Sequence, residues 1–257
     1  MTTPIPPVYI FLIFGLMIGS FLNVCIYRMP LGKSVVFPGS HCTKCGNAIK
    51  WYQNIPILSW ILLRAKCGSC GDPISIIYPL IEAATGALFA AHFLWFGLDW
   101  ILLPRIAFAC ALLVLAFIDL EHRILPNPIT LGGTVVGFAF SFFLPPGWQA
   151  SLIGILLGGG ALFVIGELYL RVRGIEGMGM GDVKMLGMIG AFLGWKAVIV
   201  TMMLASLSGA LVGVILLTAR KGDKQYPLPF GTFLSAAALV ASFFGDAWMD
   251  WYVNQLG

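Results

Sequence analysis

Charge is what this sequence lacks. Asp, Glu, Lys and Arg make up 10% of its 257 residues, hydrophobic side chains make up 59%, and the mean hydropathy is +0.93. A soluble domain of this length could bury a core, but it would still need a polar surface, and these few charges cannot supply one. The alternating apolar and polar pattern of a membrane β-barrel is absent, and so is any internal repeat or low-complexity linker. No basic residue precedes the first apolar run and Arg28 follows it, the reverse of a cleaved signal peptide. The expectation is a retained first span with its N-terminus outside. The net charge of +4 does not point to nucleic acid, because the basic residues sit between apolar runs. No nucleic-acid partner is expected.

What is present are apolar runs, several reaching the roughly 20 residues that cross a bilayer core as helix. Lipid leaves backbone polar groups no outside partner, so spans are helical. The runs lie at about 8–27, 77–97, 101–119, 129–145, 149–170, 183–195, 197–219 and 229–247. The expected fold is all-α: a polytopic membrane protein with about eight transmembrane helices. Eight crossings would make 28–76, 120–128, 171–182 and 220–228 the inner loops, and, counting Lys184 at the edge of its span as inner, 13 of the 15 Lys and Arg then fall inside, with Arg105 and Lys196 the exceptions. The run 183–195 is short for a span and could be re-entrant. Its Gly187, Gly190 and Gly194 recur at helical spacing, which suits close helix packing. The expected organisation is a first transmembrane helix at 1–27, a cytoplasmic domain at 28–76 and a membrane core at 77–257.

The 28–76 stretch holds six basic residues against one acid, Asp72, and two C-x2-C pairs: Cys42 with Cys45, and Cys67 with Cys70. Glycine follows each pair (Gly46, Gly71), helping the chain turn so that amides approach the sulfurs. Four thiolates at this spacing fit a closed, structural tetrahedral zinc, folding a ribbon-like loop too small for a core of its own. A redox pair or unrelated thiols remain the alternative. Cys25 and Cys110 lie in apolar runs and read as packing residues. His41 reads as a loop residue rather than a ligand.

Two aspartates meet the inner face in this topology. Asp119 ends the third run, just before Leu125-Pro126-Asn127, and Asp182 opens the sixth, at the end of the glycine-rich stretch Gly177-Met178-Gly179-Met180-Gly181-Asp182. A carboxylate in such a place needs a partner or a task. Two close aspartates share a proton, so one can draw a proton from water while the other polarises a peptide carbonyl. Helix-end caps or interfacial acids are the plainer alternative.

The chain resembles the bacterial type IV prepilin peptidases, the GxGD membrane aspartic proteases. The resemblance rests on Gly19-Ser20-Phe21-Leu22-Asn23-Val24, Tyr27-Arg28-Met29-Pro30, Pro38-Gly39-Ser40, both cysteine pairs and the block Trp51–Trp60. It continues through Tyr78-Pro79-Leu80-Ile81-Glu82, Asp119 with Leu125-Pro126-Asn127, Gly179-Met180-Gly181-Asp182 and Pro229-Phe230-Gly231. It implies cleavage of prepilins and pseudopilins at the cytoplasmic face of the bacterial inner membrane, after the glycine that ends a short basic leader. Many members then N-methylate the new terminus from S-adenosylmethionine. It also implies Asp119 and Asp182 as the catalytic pair and Cys42, Cys45, Cys67 and Cys70 as zinc ligands. One departure is Thr232, where proline is expected. It falls outside the catalytic motifs and puts little of the resemblance in doubt.

The other GxGD proteases, of presenilin and signal-peptide-peptidase type, lack the four-cysteine domain and carry a Pro-Ala-Leu sequence missing here. A proton-coupled transporter would place its acids near mid-membrane, and a zinc-dependent assembly scaffold would not need the aspartates. Glu82 reads as a supporting residue for substrate or cofactor, Glu167 as an ion-pair partner of Arg171, and Trp248 and Trp251 as an interfacial belt. No glycine-rich nucleotide fingerprint follows a strand, so the S-adenosylmethionine site has no local motif; the cysteine domain, next to the first spans, is expected to help form it. The sequence assigns no oligomeric state.

Overall fold

The computed structural model describes residues 6–174, 179–219 and 228–256. These are helical except for loops, and their only β structure is two isolated antiparallel bridges, His41 with Ala48 and Lys66 with Pro73. The helices are α1 (Pro7–Arg28), a short α2 (Leu58–Leu62), α3 (Ile77–Phe96), α4 (Leu102–His122), α5 (Asn127–Phe140), α6 (Trp148–Ile155), α7 (Leu162–Arg173), α8 (Met180–Ala219) and α9 (Phe230–Leu256). A wide turn over Leu156–Ala161 joins α6 to α7. Six helices are long and apolar enough to cross a membrane: α1, α3, α4, α6 with α7, α8, and α9.

All eight apolar runs are helical, but they do not make eight separate long helices. α5 has only 14 residues. The runs 183–195 and 197–219 both lie in the 40-residue α8, broken at Gly194, where φ is 79°. Gly194 is therefore not an ordinary packing glycine inside a helix. It sits in a conformation that side chains with a Cβ avoid, and it carries the bend that separates the two runs. Lys196, between the two expected runs, is itself part of α8. The expected inner loop 220–228, with its three basic residues, lies outside the described residues except for Leu228, as do Gly177 and Met178 of the glycine-rich stretch.

The chain divides into two compact units, residues 1–102 and 103–257. In the first, α1 and α3 pack backbone to backbone. A Cβ on Gly15 would stand 2.8 Å from the Gly86 Cα, and one on Gly19 would stand 2.7 Å from the Glu82 Cα. Small residues permit this approach where lipid gives helices no hydrophobic drive to associate. Arg28 closes α1, buried, and its guanidinium donates to the carbonyls of Ser34, Pro38 and Gly39, pinning the chain as it enters the cysteine segment.

In the second unit, α8 is the axis. Buried Met185, Leu186, Met188, Ile189 and Leu193 meet Phe108, Leu112 and Leu115 of α4 and Leu234 and Ala238 of α9. Gly133 and Gly137 of α5 accept Met188 and Phe192 side chains where a Cβ would clash. Gly154 of α6 lies against Gly190, and Ser151 donates to the Ala191 carbonyl at 2.8 Å.

Candidate functional site

Asp119 stands in the last turn of α4, only 5% exposed. The helix ends just beyond it, where Arg123 takes a positive φ of 56° while its N–H still reaches the Asp119 carbonyl at 2.9 Å. Asp182 stands in the first turn of α8, its N–H bonded to the Gly179 carbonyl at 3.0 Å. The end of α4 and the start of α8 thus carry one carboxylate each.

The start of α9 completes the Asp119 side of this site. Thr232 donates its backbone N–H to Asp119 Oδ2 at 2.8 Å, and its hydroxyl stands 3.2 Å from the same oxygen. Gly231 lies so close that a Cβ there would stand 3.0 Å from both Cγ and Oδ2 of Asp119 and from Leu125 Cδ2. Leu125 also covers Gly181, one residue before Asp182, where a Cβ would come within 3.1 Å of it. Lys184 Nζ donates to Asn127 Oδ1 at 3.0 Å, tying the start of α8 to the start of α5. So Leu125-Pro126-Asn127, which links α4 to α5, is the strap across both aspartate-bearing helix ends.

In the first unit, the two cysteine pairs form matching knuckles. Gly46 N–H bonds the Cys42 carbonyl and Gly71 N–H the Cys67 carbonyl, both at 2.9 Å, while the Cys42 and Cys67 amides close back onto Asn47 and Asp72. Each glycine takes a positive φ, 72° and 74°, as the turn requires. Lys44 joins one knuckle to Asp72 of the other at 2.7 Å. The four sulfurs lie within 4.8 Å of one another and can hold a metal ion. Backbone N–H groups of Cys70 and Ser69 bring the Cys67 thiol down to about 6. The Asp72 amide acts the same way on Cys70, but partial desolvation and the three neighbouring sulfurs outweigh it and push that thiol up to about 12. Between residues 29 and 76 only Ser59 is buried, so this segment has no apolar core to fold around.

Two family models cover most of the chain: the bacterial peptidase A24 N-terminal domain matches residues 13–96, and the type IV leader peptidase family matches residues 106–214. Among similar proteins, a prepilin leader peptidase/N-methyltransferase of Myxococcus xanthus is 43% identical over 86% of this chain and 67% of its own length. Proteins of the same name from Xanthomonas campestris and Pseudomonas aeruginosa are each 35% identical, over 95% and 96% of this chain and 93% of their own lengths. The chain belongs to the type IV leader peptidase family. No solved structure matches it.

The four cysteines expected from the sequence gather their sulfurs in the first unit, and Asp119 and Asp182 both lie at helix ends of the second. His41 stays apart from the sulfur cluster, its Nδ1 2.9 Å from the Gly39 carbonyl. Glu167 and Arg171 form the expected ion pair at 2.9 Å. Thr232, which stands where proline is expected, gives Asp119 Oδ2 its backbone N–H at 2.8 Å, a donor that proline does not possess. Its position right after Pro229-Phe230-Gly231 was the only signal available in the sequence.

Proposed function

We propose that this protein is a bacterial inner-membrane prepilin peptidase that cuts the basic leader from type IV prepilins and pseudopilins at the cytoplasmic face and N-methylates the new terminus. What supports the peptidase half is that Asp119 and Asp182 stand at two helix ends bridged by Leu125, which lies against both Gly231 and Gly181, with Asp119 buried and held by the start of α9. One carboxylate takes a proton from a water molecule, which attacks the scissile carbonyl. The other, protonated, donates to the carbonyl oxygen as it becomes tetrahedral, and the departing amine leaves with a proton. The Thr232 N–H holds Asp119 Oδ2 in place for this exchange.

Cys42, Cys45, Cys67 and Cys70 are proposed to hold zinc. Bonds of about 2.3 Å in a tetrahedron set sulfur atoms about 3.8 Å apart, and Cys42 Sγ lies 3.9 Å from Cys70 Sγ. Four protein ligands leave no open position, so the ion's part is to fold residues 28–76 as a small cytoplasmic domain, in place of the apolar core they lack. S-adenosylmethionine is the proposed methyl donor, bound with the help of this cysteine domain.

The test is reconstitution. The purified protein in lipid, given a prepilin and methyl-labelled S-adenosylmethionine, should yield a pilin that has lost its leader and gained one methyl group, read by mass spectrometry. A prepilin that stays intact would overturn the peptidase reading.

A further inference from the structure

Within the first unit, α1, α3 and the cysteine-bearing segment enclose a cavity of about 400 Å³. Its wall includes Asn23, Tyr27, Trp60, Tyr78 and Glu82. Glu82 is the unusual member. It belongs to the second turn of α3 and is only 8% exposed. Its Oε2 accepts the Ile57 N–H at 2.7 Å, and the Ser20 hydroxyl is a further neighbour. Ile57 needs that bond, because it is not glycine and yet holds φ at 61°.

One backbone N–H calls for one acceptor oxygen, and a neutral amide would supply it. A carboxylate brings a second oxygen and a charge, and burying that charge is costly without a cation. The ion pairs among the described residues join Lys44 to Asp72, Arg171 to Glu167 and Lys196 to Asp250, and none includes Glu82. Arg28 lines the same cavity but directs its guanidinium to three backbone carbonyls. Among the described residues no cation pairs with Glu82, and the cavity beside it has room for a small molecule or a peptide end.

We propose that this cavity binds a primary ammonium group against Glu82. Resting on the methyl-transfer reading, two molecules bring that group: the methyl donor, through the α-amino group of its amino-acid end, and the newly cut pilin, through its N-terminus. The rings of Tyr27, Trp60 and Tyr78 in the same wall suit a cationic guest.

The test is binding to the full-length protein in lipid nanodiscs by calorimetry. The probes are S-adenosylhomocysteine and its analogue lacking the α-amino group, and an apolar hexapeptide with a free N-terminus and its N-acetylated form. At least one free-amine probe should bind the wild type ten-fold or more tightly than its amine-less counterpart. Glu82→Gln, which keeps an acceptor for Ile57, should erase that difference and leave the amine-less probe unaffected. The pair that discriminates identifies the donor or the pilin as the source of the amine. Equal binding within both pairs overturns the proposal, as does a preference that survives Glu82→Gln. A uniform loss across all four probes would assign Glu82 to holding Ile57 and would equally overturn it. If the variant does not fold, the wild-type comparison decides alone. Labelled methyl transfer by the wild type, measured in parallel, reports separately on the reading beneath.

Discussion

Thr232 and Asp119 lie 113 residues apart in the chain, and Thr232 gives its backbone N–H to Asp119 Oδ2 while its hydroxyl stands 3.2 Å from the same oxygen. The hydroxyl also stands 3.1 Å from the Ala116 carbonyl, one turn back along α4. The side chain therefore straddles the end of α4 and fixes the rotation of the carboxylate.

Thr232→Val keeps the backbone N–H and the branched shape but removes the hydroxyl. A hydrogen bond to a charged group contributes about 1.5–3 kcal/mol, so kcat for prepilin cleavage should fall about ten-fold or more, with KM little changed. Steady-state kinetics on reconstituted enzyme check this. An unchanged kcat would remove Thr232 from the site.

Two glycines should respond differently to alanine. At Gly231 the new methyl would stand 3.0 Å from the Asp119 carboxylate itself, so Gly231→Ala should reduce cleavage at least ten-fold in a protein that still inserts and folds. At Gly181 it would press on Leu125 at 3.1 Å, and a leucine side chain can give way. Gly181→Ala should therefore cost much less activity. Parallel assays of the two variants test the contrast.

The contact between Gly154 and Gly190 is backbone on backbone, and a Cβ at Gly190 would run into the Gly154 carbonyl. Overpacking of this kind costs about 1–3 kcal/mol. Gly190→Ala should lower the thermal midpoint in detergent, and an unshifted melt would contradict the close approach of α6 and α8.

Much of this arrangement is legible in the sequence because it depends on local signals. Apolar length marks every helix that crosses, C-x2-C spacing marks the sulfur cluster, and Asp119 and Asp182 are conspicuous as rare acids at the ends of apolar runs. What is not legible depends on chain segments meeting in space. Thr232 looks like any polar residue at a helix start until α9 is laid against the end of α4. Gly194 has the same spacing as Gly187 and Gly190, yet it breaks the helix while Gly190 packs within it. Glu82 reads as a supporting acid, and only the cavity and its lack of a counter-ion give it a more definite part.

Metal removal should act on the first unit. The protein as purified should carry about one zinc per chain, in keeping with one four-sulfur site. A strong chelator, or Cys67→Ser, should make the segment 29–76 newly sensitive to protease, because only Ser59 is buried along it. Protection that persists after the metal is gone would show that the segment folds by other means.

The central claim is that Asp119 and Asp182 act as a pair, and single asparagine substitutions test it most directly. Asn keeps the size and most hydrogen bonds of each side chain but cannot exchange a proton with water or substrate. Asp119→Asn and Asp182→Asn, each reconstituted in lipid and matched to the wild type for folding, should both leave a prepilin uncut. Cleavage at the wild-type rate by either variant would contradict the account.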